Sequence, residues 1–201
     1  MEKKTHIACA NLASLYIIRP TSIIGLLTTV GVATLGGLLP DVDLKDSTSD
    51  KLFDRLMASL ITIIVMGVFV KYFFNINIYT KIREYNNIFN YIVSICLFII
   101  LSYMGSKTSH RSFTHSILGL FIYTMVLSYS FSSKIYITYF ISHLSHIIID
   151  LLNMKGICLF YPLKFRFSLK LCESDGSINK LLFVLSSIFN IVVLIMIGVS
   201  V

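Results

Sequence analysis

The sequence predicts an all-α membrane protein, a polytopic bundle of about six or seven hydrophobic helices, each near the length that crosses a bilayer. Three observations carry this. Of the 201 residues, 56% are hydrophobic and 13% charged, where a soluble domain carries about 25% charged residues. The mean hydropathy is +0.82, and a soluble chain of this size has no interior large enough to hide so much apolar surface. The apolar residues also fall in runs of bilayer-spanning length, separated by short polar turns.

Taken in order, residues 5–18 are apolar but short, and Arg19-Pro20 separates them from a glycine-rich stretch at 22–39 that ends at Leu39-Pro40. Proline interrupts a helix by removing a donor and clashing with the preceding turn, so 5–39 is expected to form a helical hairpin. Lys3-Lys4 before an apolar run is faintly like a secretory signal. His6 and Asn11 interrupt the run and no small-residue cleavage pattern follows, so the segment is expected to stay in the mature chain. Further spans are expected at about 55–74, 88–105, 115–132 and 181–201. A run at about 135–154 is apolar but holds His143, His146 and Asp150. There are no internal repeats, and residues 1–201 read as one membrane-embedded domain. The four cysteines, Cys9, Cys96, Cys158 and Cys172, form no CxxC pair and read as free thiols.

Counting crossings brings the polar groups together. If 22–39 ends on one face, Asp41 and Asp43 lie there. Two crossings later, so do His110 and His115, and after two more, His146 and Asp150. The hairpin returns His6 to the same face. Of the 17 Lys and Arg residues, only Arg19, Lys71, Lys81, Arg83 and Lys134 fall on the opposite face. That bias points the site face to the cytoplasm, with the N-terminus inside and the C-terminus outside. A net charge of +7 is then accounted for by topology, and no nucleic-acid partner is expected. The surrounding partner is membrane lipid.

These residues are metal-ligand types. His146 and Asp150, in SHIIID, stand four apart and share one helix face. An ionisable group at membrane depth is costly and is normally matched to a cavity or a partner. His110 and His115, in HRSFTHS, face one place if a helix starts near Ser112 or Thr114, either of which can cap it. Asp41 and Asp43, after Pro40, point the same way if the segment is extended. His6 opens the first apolar run. His143 stands three residues from His146, on a neighbouring face, and reads as packing or support. Together His6, His110, His115 and His146 with Asp41, Asp43 and Asp150 exceed what one tetrahedral ion needs, so one to three divalent ions are expected, with two favoured. The mixed donors suit Zn²⁺, with Mn²⁺ or Fe²⁺ as alternatives.

The set Thr5-His6, Leu39-Pro40-Asp41-Val42-Asp43, His110-Arg111-x-x-Thr114-His115-Ser116 and Ser145-His146-x-x-x-Asp150 resembles the YdjM-like inner-membrane metal-dependent hydrolases of bacteria. The later Gly156…Phe160-Tyr161-Pro162 turn and the Phe165-Arg166-Phe167 piece are similar too. The resemblance implies metal ligation by His6, Asp41 and Asp43, a location in the bacterial inner membrane, and a distant likeness to zinc-dependent phospholipase C and P1 nuclease.

The expected activity is metal-assisted hydrolysis of a phosphoester, a phospholipid or another phosphodiester, at the cytoplasmic face. Asp43 and Arg111 are the catalytic candidates, with Arg111 taking up charge on phosphoryl oxygens. Lys164, Arg166 and Lys170 alternate with apolar residues, a pattern suited to anionic headgroups, to a substrate phosphate or to a plain cytoplasmic loop. Two other readings are a metal or proton transporter, which needs polar residues running to the far face, and a structural or regulatory membrane protein stapled by metal.

Overall fold

The break at Arg19-Pro20 shapes the first two helices. In the computed structural model, which describes residues 1–43, 86–174 and 176–200 with 54, 55, 57–59, 62 and 66, helix α1 runs Lys3–Ile18 and α2 runs Ile23–Leu38. Arg19 leaves α1 in the left-handed region (φ 46°), its N–H bonded to the Leu15 carbonyl. Ser22 then caps α2, its hydroxyl accepting from the Gly25 N–H at 3.1 Å. The hairpin expected over 5–39 is therefore present, and α1 packs along α2.

The chain continues with α3 (Asn86–Ser106), α4 (Ile117–Ser128), α5 (Ser133–Leu151) and α6 (Ser177–Ser200). The span expected at 55–74 lies outside the described residues apart from isolated positions. Helix α1 packs against α2, α5 and α6, and α5 packs against α2 and α4. One buried cluster joins Leu39, Tyr123 and Tyr139. A second joins Leu120, Ile147 and Ile157. Ile23–Asp43, Ile88–Ser106 and Ser177–Ile197 are long and apolar enough to cross a membrane, and each leaves large apolar side chains exposed, as lipid contact requires.

Close approach at the centre depends on Gly36 and Gly37. A Cβ at Gly36 would lie 1.9 Å from the Ser142 hydroxyl oxygen, and one at Gly37 would lie 2.9 Å from the Ala10 Cβ. Small residues let membrane helices approach to backbone contact. Here they wedge α2 between α1 and α5.

Two local expectations are corrected. Residues 39–43 are not extended: Leu39–Asp43 is a 3-10 helix. At three residues per turn, Asp41 and Asp43 diverge instead of sharing a side. Nor does a helix begin at Ser112 or Thr114. Phe113–His115 is a separate 3-10 turn, and the cap of α4 is Ser116, which accepts from the Gly119 N–H at 3.0 Å. Residues 153–172 return along the end of α5 as an irregular ribbon, with isolated bridges pairing Asn153 with Cys172 and Ile157 with Phe167.

Candidate metal centre

Three segments meet at one point. The 3-10 turn after α2 brings Asp41, the turn before α4 brings His115, and the last turns of α5 bring His146 and Asp150. One donor atom from each lies within 4.8 Å of all the others, and all four residues are buried.

The orientation of the imidazoles is set from behind. His146 donates its Nδ1–H to the Gly37 carbonyl at 2.8 Å. That fixes the tautomer and turns the Nε2 lone pair inward. His115 has its Nδ1 3.1 Å from the Thr114 hydroxyl and 3.4 Å from Asp43 Oδ2, so its Nε2 also faces inward. The two Nε2 atoms stand 3.3 Å apart. With both Nδ1 atoms used as donors, two lone pairs confront each other unless a cation or proton lies between them. Asp41 Oδ1 is 3.6 Å from His115 Nε2 and 3.8 Å from His146 Nε2. Asp150 Oδ2 is 3.4 Å and 3.9 Å from the same atoms. Two nitrogens bound at about 2.0–2.1 Å to one tetrahedral ion stand about 3.4 Å apart. The donor set therefore fits a small divalent ion.

His6 stacks on His146 with ring centroids 3.8 Å apart. Its Nε2 is 3.4 Å from Asp150 Oδ1, yet neither ring nitrogen makes a hydrogen bond, though both are buried. Orphaned buried polar atoms are rare and need an explanation, an unseen ion among them. The N-terminal ammonium and Arg111 Nη2 also reach Asp150, at 3.0 Å and 3.2 Å, adding positive charge beside the carboxylate.

Asp43 and His110, predicted as ligands, stand outside the four. The Asp43 carboxylate takes His110 Nδ1 at 2.6 Å, the Arg111 N–H at 2.8 Å and the Thr114 hydroxyl at 2.9 Å. It grips the turn that carries His115. His110 is partly exposed and closes this grip from the outside. Arg111 is buried and left-handed (φ 63°), with Nε and Nη1 unpartnered. A bulky side chain at positive φ is uncommon and clusters at functional sites; here the Asp43 bond to its N–H and the Cys158 N–H on its carbonyl hold it.

His143 faces away from the cluster. It donates Nε2–H to the Thr114 carbonyl at 2.8 Å and accepts at Nδ1 from the Tyr139 hydroxyl at 3.2 Å. It supports the backbone of the His115 turn, in keeping with the support reading of its sequence position. Sequence reasoning passed over Gly36-Gly37, whose carbonyl orients His146. The small-residue pair immediately before LLPDVD was the available signal.

A family model described as YdjM inner membrane protein matches residues 1–200. No curated protein and no solved structure matches the chain.

Proposed function

The chain belongs to the YdjM inner membrane protein family, and from that premise we propose a membrane-bound, metal-dependent hydrolase acting on a phosphoester at the cytoplasmic face. The observation that carries the reading is the pair of buried Nε2 atoms 3.3 Å apart, both turned inward and flanked by Asp41 and Asp150. Zn²⁺ suits the mixed nitrogen and oxygen donors. When bound, such an ion supplies a Lewis acid that polarises a phosphoryl oxygen and acidifies nearby water.

The protein's own groups do the rest. Asp41, His115, His146 and Asp150 hold the ion, and His6, stacked on His146, is the spare imidazole beside it. Asp43 acts through His115, fixing its ring by accepting from the turn on which it sits. Arg111 spends one amino group on Asp150 and keeps Nε and Nη1 for an anionic oxygen. Preorganised donors of this kind, in a site that excludes water, stabilise charge as it develops on a transferring phosphoryl group.

The test is to purify the chain in detergent, measure bound metal, and screen phospholipid and phosphodiester hydrolysis, with His146→Ala and Asp43→Ala in parallel. Wild type is expected to retain a divalent ion and to hydrolyse a phosphodiester, with both properties reduced in the variants. Wild type without metal would overturn the reading. Metal retained without any hydrolysis would favour an ion that staples the helices or is transported.

A further inference from the structure

The ribbon after α5 has an apolar side that the protein does not cover. Leu163, Phe165, Phe167, Leu169 and Leu171 occupy odd positions, and Lys164, Arg166, Ser168 and Lys170 occupy even ones. Regular extended chain would put the two sets on opposite sides; Lys170 is left-handed (φ 53°) and breaks that regularity, so it is exposure that defines the uncovered apolar set. In a soluble protein the apolar side would be turned to the core. Here those five residues are between 41% and 71% exposed, Phe165 the most. The three cations are exposed as well.

The ribbon's depth is constrained twice. It connects α5 to α6, so it lies at the end where the Ser177–Ile197 span begins. Its backbone is irregular, and irregular backbone facing lipid is not tolerated in the hydrocarbon interior. Its inner hydrogen bonds run to the protein: Phe167 exchanges both bonds with Ile157, Leu169 N–H reaches the Leu151 carbonyl, and Leu171 N–H reaches that of Leu152. The backbone is thus tied to the end of α5 while the apolar side chains stand outward. Arg166 also donates to the His110 carbonyl at 3.4 Å, joining the ribbon to the turn that carries His115.

We propose that residues 163–171 form an interfacial anchor, with the apolar side chains set into the headgroup boundary of the leaflet and Lys164, Arg166 and Lys170 on anionic phospholipid headgroups. Charge complementarity selects anionic lipid as the occupant, and the interleaved large apolar residues select a lipid surface over a soluble anion. The anchor is bonded to two of the three segments of the candidate metal centre, the end of α5 and the turn that carries His115, so it sets that centre at headgroup level. It does not depend on hydrolysis.

The chain has no Trp, so Phe165→Trp introduces a single indole. The full-length variant is reconstituted into vesicles of phosphatidylcholine and phosphatidylglycerol, with one or the other lipid brominated on its acyl chains. Leu163→Trp, on the same side, is the second reporter should the first fold poorly. The expected result is blue-shifted emission quenched by brominated lipid, more strongly by bromines near the headgroup than near the chain end. Brominated phosphatidylglycerol should be preferred about fivefold or more at low salt, the effect of one cation at an anionic surface. Neutralising Lys164, Arg166 and Lys170 together to Gln should abolish that preference and leave the quenching. Water-exposed emission with no quenching in both reporters would overturn the anchor. A lipid preference unchanged by the triple substitution would overturn the role of the cations.

Discussion

At the scale of single residues, the arrangement separates groups that point into the cluster from groups that aim them. His115 belongs to the first class and His110 to the second, though both come from one short motif. His115→Ala should therefore abolish metal retention, while His110→Ala, which removes a partly exposed partner of Asp43, should leave most of it. Asp43→Asn keeps the shape but weakens acceptance from three donors. Loss of such an orienting carboxylate typically lowers metal affinity about 10–100-fold, and competitive chelation followed by metal analysis would measure it. Equal loss in the His110 and His115 variants would contradict this division. Arg111→Ala should lower turnover by about 10²–10³ if its free donors face developing charge, with metal content retained. A fall in metal content of the same size would instead assign Arg111 to holding Asp150.

At the scale of elements, the site depends on how closely α2 can enter between α1 and α5. A side chain at Gly36 would meet Ser142 and the Tyr139 carbonyl. Gly36→Val should cost about 1–3 kcal/mol, the usual cost of overpacking a filled interior, visible as a lower thermal midpoint in detergent. Because the Gly37 carbonyl orients His146, the same variant should also hold metal more weakly. Unchanged stability would show that α2 shifts freely. Much of this level was legible in the sequence. Hydrophobic length located α3 and α6 to within a few residues, and Pro20 and Pro40 marked both breaks. Residues 39–43 were harder, since a short segment carries no periodicity that distinguishes extended chain from a 3-10 turn. That distinction alone decided whether Asp43 joined Asp41 or turned to grip the His115 loop. The cap of α4 was similarly ambiguous, because Ser112, Thr114 and Ser116 are all good capping residues and tertiary packing chose the last.

At the scale of the whole molecule, the metal centre and the cationic ribbon share one end of the bundle, which makes the orientation in the membrane a single binary question. The charge bias in the sequence predicts the cytoplasm, since the basic residues assigned to the site face outnumber those assigned to the Arg19 and Lys134 face. The structure supplies what charge counting lacked: Arg166 and His110 are in direct contact, so ribbon and site must lie on the same side. One accessibility measurement therefore orients both. A Lys164→Cys variant should resist a membrane-impermeant thiol reagent applied to intact cells and should react in inverted membrane vesicles. The four native cysteines are buried or half-buried, so the parent chain gives the baseline. Labelling from outside intact cells would reverse the orientation of ribbon and metal centre together, and would leave the geometry of the four donors untouched.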